Sequence, residues 1–216
     1  MADWVTISSL ATAGGTMVLA LATFASVRSA NRAARVAERS FQIGLRPVLV
    51  PARPEDPVQK VSWIEGQVHP LRGGAALFHE EEGRVYIALS LRNVGAGLAV
   101  LHGGHVAAER VSLDTPHTEL EDFRFLQRDL YVPAGDQGFW QVGLRDPEDP
   151  LRRDLAAASA ERRPITVELL YGDHEGGQRT VTRFVAAPRG ETDWFCAVMR
   201  HWSVEEEQHL TARAGP

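Results

Sequence analysis

The chain has 216 residues, 44% of them hydrophobic, and a formal net charge of −5. That apolar content excludes an intrinsically disordered chain, and the single cysteine, Cys196, excludes an internal disulfide framework. From Pro47 onward 18 basic residues stand against 26 acidic ones, a balance without an electrostatic footprint for nucleic acid.

No residue between Asp3 and Arg28 is charged. A helix over residues 4–27 is about 36 Å long, enough for a hydrocarbon core of roughly 30 Å. Residues 1–27 are therefore expected to be a transmembrane anchor, with Trp4 at the headgroup layer. Thr6, Ser8, Ser9, Thr12, Gly14, Gly15 and Thr16 make its first half less apolar than its second, although small hydroxyls can bond back to their own helix. A cleaved signal peptide would place positive charge before the apolar stretch, and Met1-Ala2-Asp3 carries none.

Arg28, Arg32, Arg35 and Arg39 follow at helical spacing along one side. They define a basic juxtamembrane helix over residues 28–45, in contact with anionic lipid headgroups. Positive charge at this end directs the C-terminal part into the cytoplasm and the N-terminus outside. Thr12, Thr16 and Ala20 repeat at four-residue spacing, which permits helix self-association.

Residues 46–204 read as a soluble, mainly β domain. Residues 46–51 form a first strand closed by prolines, and residues 58–64 a second. The clearest strand is 85–91, which Asn93-Val94-Gly95-Ala96-Gly97 turns into another over 98–101. Residues 129–132 and 138–143 flank Pro133-Ala134-Gly135-Asp136-Gln137 and read as a hairpin, as do 165–171 and 180–185 around Gly172-Asp173-His174-Glu175-Gly176-Gly177. Between these pairs, Asp149-Pro150 offers an N-cap and first helical residue for a crossover helix over 151–162. Residues 192–202 close the domain as a strand or short helix, and a polar tail covers 205–216. Short strands between glycine- and proline-rich turns point to an antiparallel, immunoglobulin-like β-sandwich.

Chemistry-bearing residues form no complete constellation. His102-Gly103-Gly104-His105 suggests paired metal ligands, but three residues apart on a strand the rings face opposite ways, and no acidic or thiol cluster completes a site. Turn or bulge residues are the simpler account. Asp173-His174-Glu175 reads as a solvated turn, and Glu80-Glu81-Glu82 as a charged loop without calcium-ligand spacing. Cys196 reads as a buried, inert thiol. Gly95 and Gly97 lack the ending of a phosphate loop and are expected at positive φ. Arg200-His201-Trp202 is a candidate partner contact, because arginine and tryptophan anchor interfaces. The alternative is structural: Trp194, Phe195, Val198 and Trp202 pack while Arg200 pairs with an acid.

The layout resembles a group of uncharacterised single-pass membrane-anchored proteins of high-GC bacteria. The resemblance is carried by the N-terminal span, Ala37-Glu38-Arg39, Leu45-Arg46-Pro47, Leu91-Arg92-Asn93-Val94-Gly95 and the stretch from Gly176-Gly177-Gln178-Arg179 to Arg200-His201-Trp202. It implies the bacterial cell membrane and the same architecture, with no activity to carry over. The expectation is thus a membrane-anchored interaction or scaffold protein without cofactor or metal, whose partners are the bilayer and a protein or a second copy. The alternative is a tethered hydrolase using histidine and carboxylate groups assembled by the fold.

Overall fold

The computed structural model describes residues 3–63 and 66–204; side chains at 4–11, 39, 42, 43 and 127–129 fall outside that description. The chain divides into two units, 1–44 and 45–216.

The first unit is α1 (Asp3–Gly44), an uninterrupted helix of 42 residues. No proline falls inside it, and the Thr16 and Thr23 hydroxyls donate to the Thr12 and Leu19 carbonyls, each at 2.8 Å. These polar side chains are thereby satisfied within the helix itself. Every described side chain on α1 is exposed, including Leu19 at 71% and Phe24 at 66%.

The transmembrane span expected over 4–27 needs correction. Among the described residues no helix is long and apolar enough to cross a membrane. The apolar band among the described side chains starts at Met17 and ends at Val27. That is about 16 Å of helix against roughly 30 Å of hydrocarbon. The side chains of Trp4 and Arg39, like residues 64 and 205–216, lie outside the described residues.

The second unit is mainly β and antiparallel. Its strands are β1 (Leu49–Pro51), β2 (Gln59–Ser62), β3 (Val68–Leu71), β4 (Ala75–Glu81), β5 (Arg84–Asn93), β6 (Ala99–Ala107), β7 (Arg124–Val132), β8 (Gln137–Leu144), β9 (Ile165–Gly172), β10 (Arg179–Arg189) and β11 (Asp193–Ser203). Nine of them form one sheet, while β2 and β3 pair separately.

β5 organises the first half of the sheet. One edge pairs with β8, and the other pairs with β4 over Arg84 to Leu89 and then with β1 over Leu91 to Asn93. The second half runs β11-β10-β9-β6-β7. The halves join at a corner of two residue pairs, Ala76 with Trp194 and Ala75 with Phe195. The expected sandwich of two separate sheets is therefore a single sheet that bends there.

Both halves share one core. Ile87, Leu89 and Leu91 meet Val167, Leu169, Tyr171, Phe184 and Trp140 in it. Alternation explains why β5 and β9 read as unbroken apolar runs: each is buried on both faces. The outer face of β5 lies beneath the β2–β3 hairpin, where Val61, Trp63 and Leu71 cover Tyr86 and Ala88. The outer face of β9 and β10 is covered by Phe123 and Trp202.

α2 (Pro150–Ala160) is the expected crossover helix, and Asp149 accepts from the Leu151 N–H at 3.0 Å as its N-cap. It buries Leu155 and Ala158 in the shared core.

Three local expectations change. Glu80 and Glu81 end β4 rather than lying in a loop, and Glu82 and Gly83, at φ 50° and 73°, make the tight turn into β5. Gly95 and Gly97 are absent from the positive-φ positions. They are required for close approach instead: a Cβ would stand 2.2 Å from the Arg46 carbonyl oxygen at Gly95 and 1.8 Å from that of Leu45 at Gly97. Finally, β7 and β8 flank the expected hairpin turn, yet β7 pairs with β6 and β8 with β5, and no ladder joins them among the described residues.

Candidate functional site

The divergence of β7 and β8 begins at Asn93, which is fully buried. Its amide nitrogen donates to the carbonyls of Gly97 (2.7 Å) and Val132 (3.0 Å), and its side-chain oxygen accepts from the N–H of Val48 (3.1 Å) and Gly95 (3.0 Å). Its backbone also bonds to Asp136 and Gly135. An asparagine amide has two donors and two lone pairs, and all four serve here. The turn after β7 is thus fastened to the end of β5, which leads β8 away along β5.

A second device separates the strands. Leu101 on β6 faces Leu130, but Gly103 faces Phe125, so β7 carries three more residues than its partner over this stretch. Such a bulge bends a strand and interrupts its pairing. His102 is itself the extra residue of β6, where the register against β9 shifts.

Between the two edges opens a cleft of about 760 Å³. Its apolar walls come from Phe125, Leu126 and Leu130 on β7, Val142 on β8, and Trp63 just after β2. Phe125 is 65% exposed, high for a phenylalanine on a sheet. Arg124 and Arg145 line the end remote from the turn, and no acid lines the cleft among the described residues. Arg124 is tied to the helix-capping Asp149 at 2.8 Å, and that hydrogen bond above all holds the Asp149 carboxyl below the usual carboxylate range. The Arg145 guanidinium lies over the Tyr86 ring at 5.7 Å.

Behind Trp63 stands a histidine pair. The His69 and His79 rings lie 4.3 Å apart, and Trp63 stacks on His79 at 5.6 Å. Burial first, and then the His79 charge, push the His69 pKa below its ordinary 6.5. His201 is lowered too, by burial and then by Arg46. A depressed histidine is bound less tightly by protons in the folded state than in the unfolded chain, so its contribution to stability is lost as pH falls through 6.5. The urea midpoint is expected to drop between pH 7.5 and pH 5.5, and the drop to shrink in His69→Gln. A midpoint flat over that range would contradict this.

The outer face of β9 and β10 holds a buried charged node. Arg183 and Glu168 are 1% and 2% exposed. Arg183 Nε and Nη2 reach Glu168 Oε1 at 2.7 and 2.6 Å. Its Nη1 donates to the carbonyls of Ser112 (2.7 Å) and Thr115 (3.0 Å), and Nη2 to that of Pro116 (2.7 Å). The other Glu168 oxygen accepts from the Thr118 N–H at 2.8 Å. This node pins the loop between β6 and β7 onto the sheet. A signal for it existed in the sequence: Glu168 and Arg183 lie symmetrically about the β9–β10 turn, as charges at facing positions of two apolar runs.

The candidate residues fall as follows. Trp202 is buried, with the guanidiniums of Arg183 and Arg200 over its ring at 4.8 and 5.2 Å. Arg200 is exposed and donates to the Leu113 carbonyl at 3.2 Å, a backbone partner in place of the expected acid. Trp194 packs in the core as expected, whereas Phe195 and Val198 are each 38% exposed. His201 Nδ1 bonds to Thr182 Oγ1 (2.7 Å), which bonds to Tyr171 Oη (2.9 Å), which accepts from the Leu49 N–H (3.1 Å).

His105 faces Glu168 in register, but that carboxylate is already engaged by Arg183 and Thr118. Neither His102 nor His105 lines the cleft. Among the described residues no three of histidine, cysteine, aspartate and glutamate converge on a metal position. Asp173 closes its turn by accepting from the Gly177 N–H at 2.9 Å, and His174 and Glu175 are exposed. Arg28, Arg32 and Arg35 are exposed on α1.

Cys196 is buried, and burial pushes its thiol up to about 12. A maleimide reagent at neutral pH is expected to label it only on unfolding; stoichiometric labelling of the folded chain would contradict that.

No family model, no curated protein and no solved structure matches the chain.

Proposed function

We propose that the protein is a membrane-attached interaction module whose β domain takes a protein partner in the cleft between β7 and β8. The cleft carries the reading: two consecutive strands present unpaired edges to an apolar-walled opening with an exposed Phe125. Exposed apolar surface beside unpaired backbone is a combination that folded proteins ordinarily avoid. Attachment is supported by α1, with its uncharged residues 4–27 and its exposed apolar band. The arginines at 28, 32, 35 and 39 suit the anionic headgroups of a cytoplasmic leaflet, which argues for a cytoplasmic β domain.

Two experiments test this. Fractionated cells expressing the full chain are expected to hold it in the membrane pellet in low-salt buffer. Release by high salt alone would reduce the attachment to the arginines, and recovery in the soluble fraction would remove the bilayer from the reading. A reporter at the C-terminus reads the orientation, and activity outside the cytoplasm would reverse it. A photo-crosslinking residue at position 125 is expected to give a discrete protein adduct in intact cells, while one at the exposed turn residue 175 gives none. Absence of an adduct at 125 would overturn the interaction reading.

A further inference from the structure

We propose that His201 is a proton sensor for the first strand of the β domain: a proton on its ring breaks a one-way chain of hydrogen bonds that ends on Leu49, and β1 loosens. The sensor stands on these contacts alone; its bearing on a partner rests on the interaction reading above.

The chain crosses four strands. The Leu49 N–H reaches Tyr171 Oη at 3.1 Å, Tyr171 Oη meets Thr182 Oγ1 at 2.9 Å, and Thr182 Oγ1 meets His201 Nδ1 at 2.7 Å. Leu49, Tyr171 and Thr182 are fully buried. A backbone N–H can only donate, and that fixes the direction of every later link. Tyr171 accepts from Leu49 and gives its own hydrogen to Thr182. Thr182 accepts from Tyr171 and gives its own hydrogen to His201. Nδ1 is therefore an acceptor, with the ring hydrogen on Nε2.

An imidazolium donates from both nitrogens. Once His201 is protonated, Nδ1 points a hydrogen at Thr182 Oγ1, and the Thr182 hydrogen loses its acceptor. The exposed ring can swing into water, but the buried hydroxyl cannot follow it. Leaving a buried hydroxyl unpaired costs more than its hydrogen bond had contributed.

The surroundings favour the neutral ring. Burial first, and then the Arg46 guanidinium, hold His201 below its ordinary 6.5. Arg46 is itself steered by Thr180 on β10, whose hydroxyl accepts from its Nη2 at 3.4 Å. On β9, burial raises Tyr171 above the usual phenol range, so it stays neutral throughout. The chain is thus intact above pH 6.5 and is lost as pH falls through the depressed value.

Loosening passes beyond Leu49. Leu49 lies opposite Asn93 in the ladder, and the neighbouring Val48 N–H donates to the Asn93 side chain at 3.1 Å. Asn93 holds the β7–β8 turn through Val132, Gly135 and Asp136. Acid acting at His201 thereby reaches the fastening of the cleft.

The test uses the full chain in lipid nanodiscs, carrying His69→Gln so that the other depressed histidine is silent. Amide exchange of residues 46–51, corrected for its intrinsic pH dependence, is compared with that of α2 at pH 7.5 and pH 5.5. Exchange at 46–51 is expected to quicken about fivefold at the lower pH, with α2 unchanged. His201→Asn keeps a side-chain acceptor for Thr182 but takes no proton. It is expected to hold the protection seen at pH 7.5 and to abolish the pH effect, whereas Thr182→Val exchanges fast at both values. A nitrogen-15 spectrum of labelled histidines should show His201 at pH 7.5 as the Nε2–H tautomer. The other tautomer would overturn the proposal, as would no pH effect at 46–51, one that survives His201→Asn, or one shared equally by α2. The photo-crosslink at position 125, run in isolated membranes, is expected to weaken at pH 5.5 and to hold in His201→Asn. An adduct that ignores pH would overturn the link to the cleft. Absence of the adduct at both values would remove the interaction reading, while the exchange result still decides the sensor.

Discussion

Glu168→Ala is expected to destabilise the β domain by about 3–5 kcal/mol, because it leaves a buried guanidinium without its counter-charge. Arg183 is 1% exposed and cannot turn to water without opening the loop that carries Ser112, Thr115 and Pro116. Arg183→Lys is expected to be nearly as damaging, since an ammonium cannot reproduce the planar fork that reaches a carboxylate and three carbonyls at once. The usual rescue of a buried ion pair by two apolar residues should be incomplete here. In Glu168→Leu with Arg183→Met, three loop carbonyls and the Thr118 N–H lose their partners as well. Urea unfolding followed by tryptophan fluorescence measures all three variants, and limited proteolysis should show cleavage between residues 108 and 118 appearing with the loss. A single-variant cost below about 1 kcal/mol would place the pair with exposed ion pairs and refute the account.

Asn93→Ala is expected to cost on the order of 3 kcal/mol, because two half-buried N–H groups and two buried carbonyls lose a partner together. Asn93→Asp separates shape from chemistry. It keeps the acceptor for Val48 and Gly95 but loses both donors to Gly97 and Val132 and buries a negative charge. Its cost should therefore be at least as large at neutral pH and should shrink on acidification, as the carboxyl becomes protonated. Exchange of the Val48 amide reports the same event locally, and an unchanged urea midpoint in both variants would refute the hub. Loss of this hub should also free the β7–β8 turn, so the cleft is expected to lose its fixed width before the core of the domain unfolds.

What could be read in advance follows the range of the interactions concerned. The strands at 85–91 and 165–171 were legible because burial on both faces writes itself as a continuous apolar run. The β9–β10 hairpin and the cap of α2 were legible because their partners are neighbours in sequence. The pairing of β7 and β8 was not, since it is decided by Asn93, some forty residues before the turn it holds. β4 was missed because His79, Glu80 and Glu81 look like a loop; on one face of a strand, His79 instead packs against Trp63 and His69. At Gly95 and Gly97 the need for glycine is legible but its cause is not: close backbone approach leaves no trace in the local pattern that distinguishes it from a left-handed turn. The arginines of α1 and the cluster at Arg200 and Trp202 were visible as residues. The cleft itself was not, because it is made by what two strands fail to do.

The route of the chain through the sheet also sets an order of assembly during synthesis. The first half needs only residues up to Leu144, when β8 arrives to pair with β5. β6 and β7 are already made by then, but β6 must wait for β9, and the corner with β4 waits for β11 near Trp194. At roughly 5–20 residues per second of translation, the ribosome exposes a half-built sheet for several seconds. During that interval the later-filled edges of β4 and β6 are bare, and a nascent chain held there is a natural client for the chaperones that shield strand edges.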